Sequence, residues 1–178
     1  MSVNRANVQA AFDLVMTLRA SGIQAGIAGG FARDIYFGKN PKDIDIVVTD
    51  CSWERLQEFI EETKMVAVPF RIYNEATGDR LIGGFKCLNE IDIVLYDCRN
   101  LGDAIDNFDF NLNQFMVREL HLGIDHAFVQ FVGEKHWSTL EPVRPDFTFE
   151  RECKMREKFI DLTPRRATGE LDEAPLEI

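Results

Sequence analysis

Apolar positions along the chain alternate between a period near 3.6 and a period of two. Val8, Ala11, Phe12, Val15 and Leu18 recur at helical spacing, and Gly22 follows them as a stop, which predicts an amphipathic first helix. Residues 23–28 are short and apolar enough for a strand, ended by Gly29 and Gly30. Residues 31–37 predict a short helix closed by Gly38, and Asn40 with Pro41 marks a turn. Across 43–49 the alternation is strict. Ile44, Ile46 and Val48 share one face and Asp43, Asp45 and Val47 the other, the pattern of a half-buried strand. Ser52 is suited to cap a helix whose buried stripe is Trp53, Leu56, Phe59 and Ile60.

Further on, residues 65–73 and 81–88 predict two strands around a turn-rich stretch at 74–80, and 91–96 a third strand with the same alternation. A short helix is expected near 100–106. A hairpin formed by 115–120 and 126–132 turns at Leu122 and Gly123, and a last helix covers about 149–160. Neither an internal repeat nor a linker is visible. The expected organisation is one α+β domain over 1–163, followed by a polar tail at 164–178, with Gly169 and Pro175, expected to be disordered.

Composition supports a real core. Hydrophobic residues make up 46% of 178, with 14 Phe among them, so burial can drive folding. No apolar run approaches the ~20 residues of a membrane span. The polar N-terminus lacks an apolar segment of the kind found in export signals. Cys51, Cys87, Cys98 and Cys153 are widely spaced and form no C-x-x-C pair, which fits four reduced thiols in a cytoplasmic protein. The net charge of −10 argues against tight non-specific binding to nucleic acid, which depends on many Lys and Arg contacts. Between Arg144 and Arg166 both signs of charge interleave densely, which predicts a solvated helix face.

The chemistry concentrates in Gly29 and Gly30, twelve intervening residues, and then Asp43-Ile44-Asp45-Ile46. A glycine pair between a strand and a helix lets the backbone turn tightly and approach a ligand, and the helix start offers free N–H groups to phosphate. Two aspartates at i and i+2 on a strand point the same way, so both carboxylates can serve one pair of cations. Magnesium favours such hard oxygen donors and shares them with substrate phosphates. Ile91-Asp92-Ile93 offers a third carboxylate on another strand. Three acids at one point would repel one another unless a cation joins them.

Gly29-Gly30-Phe31-Ala32-Arg33-Asp34-Ile35-Tyr36-Phe37-Gly38, with Lys42-Asp43-Ile44-Asp45-Ile46 behind it, resembles the head-domain signature of the poly(A) polymerase and CCA-adding tRNA nucleotidyltransferase family, part of the DNA polymerase β-like superfamily. A second family motif, usually Arg-Asp-Phe-Thr-Ile-Asn, is echoed by Phe108-Asp109-Phe110-Asn111-Leu112-Asn113. The resemblance spans roughly residues 23–117. It implies a mixed central sheet flanked by helices and an enzyme that moves an NMP from an NTP to an acceptor hydroxyl, releasing pyrophosphate. It further implies two magnesium ions, or manganese in their place, on Asp43, Asp45 and Asp92, with Asp92 helping to activate the acceptor. Gly29, Gly30, Arg33, Asp109 and Asn113 would bind the nucleotide. The implied partners are an NTP and an RNA 3′ end.

The departures from the family are specific. Phe108 stands where the motif has Arg, and the base-selecting acidic pair with its spaced arginine has only a poor echo in Glu150-Arg151-Glu152 and Arg156. Family members that add CCA carry neck and body domains, whereas only about 60 residues follow the last matched motif here and the tail is polar, so a head domain acting alone is expected rather than full CCA synthesis. A protein or small-molecule acceptor is the alternative that the acidity favours, and a catalytically idle binding module is a third. Gly83-Gly84 predicts a bulge or tight strand, and His121, His126 and His136 form no metal triad. Trp53 and Trp137 are expected to pack in the core. A P-loop kinase or ATPase has no motif here.

Overall fold

The computed structural model describes residues 3–70, 78–167 and 171–178. Helix α1 (Arg5–Ala20) starts at Asn4, whose side chain accepts from the Asn7 amide while Asn7 returns a bond to the Asn4 amide, both at 2.9 Å. It buries the apolar positions that its spacing predicts. Strand β1 (Gln24–Ile27), helix α2 (Gly30–Tyr36) and strand β2 (Ile44–Thr49) follow. Helix α3 (Trp53–Thr63) is capped by the Ser52 hydroxyl, which accepts from the Arg55 amide at 3.1 Å. Then come β3 (Ala67–Phe70), β4 (Leu81–Cys87), β5 (Ile91–Tyr96) and α4 (Leu101–Asp106). The order closes with β6 (Phe115–Arg118), β7 (Phe128–Phe131), α5 (Phe149–Leu162) and β8 (Glu173–Pro175).

The fold is α+β, with a mixed sheet flanked by helices. Five strands lie in the order β1-β2-β5-β4-β3; β2 and β5 run parallel and the other pairs antiparallel. Asp45 stands beside Asp92 in the β2–β5 register, and Lys86 of β4 stands beside Asp92 on the other side. Residues opposite one another on neighbouring strands share a face, so these three charged groups project together. The other face carries Ile44, Ile46, Val48, Ile91, Ile93 and Leu95, which join the α1 stripe and Leu56, Phe59 and Ile60 of α3 in the main core.

A second sheet has the order β6-β7-β8, all antiparallel, and a bridge between Ala28 and Met116 ties it to the end of β1. The hairpin predicted over 115–132 is the β6–β7 pair. Trp137 is buried amid the rings of Tyr36, Phe37 and His136, and Trp53 stacks on Phe85 at 4.8 Å, both packing as expected. The β4 register shifts between Leu81 and Gly83, as a bulge requires. A Cβ on Gly84 would stand 2.2 Å from the Ile93 carbonyl oxygen, so only glycine fits there.

Three expectations need correction. The strand over 43–49 is not half-buried: Val47 and Thr49 are as buried as Ile46, because Ala104 and Ile105 of α4 pack with Val47 in a second apolar cluster. The tail expected to be disordered from 164 instead makes a single 3-10 turn at Thr163–Arg165 and, in 171–178, adds β8 to the β7 edge and buries Leu176. Arg166 holds that return by donating to the carbonyls of Leu171 and Glu173 at 3.1 and 3.0 Å. The strand predicted for 65–73 is observed at Ala67–Phe70; its end at 71–73 and the turn positions 74–77 lie outside the described residues, as do 168–170 of the tail.

Candidate active site

Gly29 caps α2 with φ 90 and ψ −139, a conformation that side-chain-bearing residues resist. Its amide donates to the Phe115 carbonyl at 2.9 Å and its carbonyl accepts from the Arg33 amide at 3.0 Å. The turn therefore joins the two sheets and delivers Arg33 one helical turn later.

Beside this turn, β2 and β5 carry the acids. Asp45 is largely buried, and its pKa is pushed up from 3.8 to about 7 by burial first and then by the charges of Asp43 and Asp92, against the opposing pull of Lys86 and Arg33. Asp92 is also raised, by burial and by Asp43, although the Lys86 Nζ lies 3.7 Å from its Oδ2 and favours the anion. Asp43 stands exposed, one residue ahead of β2. The three carboxylates feel one another's charge without converging: among the described residues, no three Asp, Glu, His or Cys side chains stand grouped as metal ligands. In donor chemistry they suit a hard divalent cation. All are carboxylate oxygens, and their mutual repulsion is what such a cation would relieve.

The opposite wall is built from hydrogen bonds. Arg33, only 7% exposed at its side chain, donates through Nε to Asp34 Oδ1 at 2.9 Å and through Nη1 to Asn113 Oδ1 at 2.7 Å. Asn113 Nδ2 donates to Asp109 Oδ1 at 3.1 Å, and Asp109 Oδ2 accepts from Arg151 Nε at 2.6 Å. One continuous chain thus runs from α2 through 109–113 to α5. Gly29, Gly30, Arg33, Asp45, Asp109 and Asn113 all line one open cleft of about 710 Å³, whereas Asp43 and Asp92 lie outside its lining.

Comparison with known proteins finds relatives over part of the chain. The CC-adding tRNA nucleotidyltransferase of Shouchella clausii is 32% identical over 114 residues, 64% of this chain and 28% of that protein. Poly(A) polymerase I of Escherichia coli is 31% identical over 72 residues, 40% of this chain and 15% of that protein. Over part of its length the chain is thus similar to nucleotidyltransferases of the CC-adding and poly(A) polymerase kind. It spans under a third of the length of the curated relatives it matches. No family model matches the chain. Similar solved structures include the Bacillus stearothermophilus CCA-adding enzyme in complex with CTP, at TM-score 0.49 and 17% identity over 65% of this chain and 29% of that one. The Thermotoga maritima CCA-adding enzyme complexed with tRNA aligns at TM-score 0.49 and 18% identity, over 65% of this chain and 27% of that one. Among the described residues, no helix is long and apolar enough to cross a membrane.

Sequence reasoning missed part of the cleft. Arg144, Thr148 and Arg151 line it, with Phe108 and Tyr96 as an aromatic wall whose ring centroids stand 6.2 Å apart. The run from Arg144 to Arg166 is therefore not simply a solvated face. Arg144 is 17% exposed at its side chain, because its Nε donates to the Asn107 carbonyl at 2.8 Å. For Arg151 a signal existed: Arg151, Met155 and Leu162 fall on one helical stripe, and Met155 and Leu162 are fully buried. For Arg144 the sequence holds none, since its anchor lies 37 residues away. All four cysteines are free thiols, as their spacing predicts.

Proposed function

We propose that this head domain transfers a nucleoside monophosphate from an NTP to an acceptor hydroxyl, most directly an RNA 3′ end. The observation that carries this is the β2–β5 register, which sets Asp45 beside Asp92 next to the glycine turn and its cleft. The Gly29–Gly30 backbone approaches the phosphates without a Cβ in the way, and Arg33, held by Asp34 and Asn113, faces them with a fixed cation. Asp43, Asp45 and Asp92 would hold two magnesium ions, or manganese, which when bound supply Lewis-acid stabilisation of charge developing at the α-phosphate. Asp92, its pKa raised by burial, draws the proton from the acceptor hydroxyl. The acceptor oxygen forms its bond to the α-phosphorus as the bond to pyrophosphate breaks.

A second reading keeps the chemistry and changes the acceptor. A net charge of −10 repels an RNA backbone and favours a protein or small-molecule hydroxyl. Incubation of the full chain with each α-labelled NTP, magnesium and a cell extract, followed by separation of products, distinguishes them. Label on RNA supports the first acceptor, and label on protein or small molecules the second. Absence of label with any NTP, in magnesium or manganese, argues for an idle module.

A further inference from the structure

The cleft's aromatic wall poses a charge problem. Phe108, directly ahead of Asp109, packs toward Gly29, close enough that a Cβ built there would stand 3.8 Å from its ring, and so gives the glycine turn an apolar neighbour where the similar motif carries an arginine. Each of the three cations lining the cleft has a carboxylate partner. Arg33 is tied to Asp34 and Asn113, and Arg151 to Asp109.

The third cation arrives from the segment between β7 and α5. That segment runs alongside the residues following Phe108: the Asn111 amide donates to the Glu141 carbonyl at 3.0 Å, the Glu141 amide to Asn111 Oδ1 at 2.8 Å, and the Val143 amide to the Asp109 carbonyl at 2.8 Å. The next residue is Arg144. Its Nε is fixed on the carbonyl of Asn107, the residue preceding Phe108, and its Nη1 is held by Asp146. Asp146 is itself pressed against Gly78, where a Cβ would meet its carboxylate. The guanidinium plane is thus anchored at two corners, and Nη2 has no protein partner among the described residues. A guanidinium held this way in a cleft presents two N–H donors at no further ordering cost, and phosphate oxygens are the strongest acceptors for them.

We infer that Arg144 is a nucleotide-binding residue of this chain, holding the phosphate chain of the NTP and supplying, from a distant segment, the cation that Phe108 does not. The inference rests on the transferase reading of the cleft. It leaves the apolar surfaces of Phe108, Tyr96 and Phe147 to the sugar and base.

The test measures affinity of the full chain for its preferred NTP and for inorganic tripolyphosphate, in the wild type, R144Q, R144K, and R144Q combined with F108R. Arg144→Gln should weaken both ligands in parallel, by roughly 10- to 100-fold, the scale of one charged hydrogen-bonding group. Arg144→Lys should retain part of both affinities, and Phe108→Arg in the R144Q background should recover part of both. Wild-type affinity for both ligands in R144Q overturns the inference alone. So does loss of NTP affinity with tripolyphosphate binding intact, which would put Arg144 on the sugar or base. Unchanged melting temperature separates these results from misfolding, and R144K reads the same contact if R144Q fails to fold. A wild-type chain that binds neither ligand overturns both this inference and the transferase reading.

Discussion

The two walls of the cleft differ in how they handle charge. On the β2–β5 side, Asp45 lines the cleft with Asp43 and Asp92 just outside its lining. Burial, together with their mutual repulsion, only partly offset by Lys86 and Arg33, raises the pKa values of Asp45 and Asp92. On the α2–α5 side, Arg33, Arg151 and Arg144 each have a carboxylate partner; a chain of hydrogen bonds links Arg33 to Arg151, and the Asn107 carbonyl fixes Arg144 separately. The first wall keeps a repulsion that a bound cation would relieve. The second is organised before any ligand arrives, so its donors would need little reorganisation to receive one.

That contrast predicts different responses to mutation. Asp43→Ala together with Asp45→Ala removes the acidic wall, and turnover should fall by about 10³-fold or more, while the fold survives or gains stability because repulsion is relieved. Steady-state rates alongside thermal melts check both halves. Asn113→Ala strikes the pre-organised wall. It leaves the buried Arg33 Nη1 without its 2.7 Å partner, so it should cost about 1–3 kcal/mol of stability and raise KM for NTP roughly tenfold. Denaturant melts and initial rates read these.

The pH response should expose the acidic wall directly. An acid whose folded pKa lies above its unfolded value resists ionisation in the folded state, so its contribution to stability declines as pH rises between the two values, here from 3.8 to about 7 for Asp45, and is flat above. In metal-free buffer the melting temperature of Asp45→Asn should match the wild type near the lower value. It should exceed it by roughly 3–6 °C above the upper one, a gap that magnesium narrows by stabilising the wild type alone. A constant offset across pH would remove the electrostatic explanation. The smallest effect belongs to Arg151→Met. Its bond to Asp109 is short, but the side chain is 40% exposed, so the loss should stay under about 1 kcal/mol.

The acidic wall was legible in the sequence because its parts are local. Gly29-Gly30 and Asp43-Ile44-Asp45 declare a turn and a strand face through spacing alone, and the alternation around Asp92 gives its strand. The pairing of β2 with β5 and the reach of Lys86 to Asp92 are tertiary facts, visible only as an implication of the resemblance or not at all. The hydrogen-bonded wall was half legible. Asp109 and Asn113 were found through a motif, but Arg151 and Arg144 reach the cleft across 42 and 37 residues from a run whose mixed charges look solvated. Strand β8 was missed for a related reason: three residues without alternation form a strand only because β7 offers an edge and Arg166 ties the return.

The most direct test compares α-labelled and γ-labelled NTP in the same reaction, using the full chain, magnesium and an RNA with a free 3′ hydroxyl. A nucleotidyltransferase leaves the α label on the acceptor and releases the γ label entirely as pyrophosphate, and the D43A/D45A double variant leaves neither on the acceptor. Label from the γ position on the product would mean phosphoryl transfer and would contradict the assignment of this cleft.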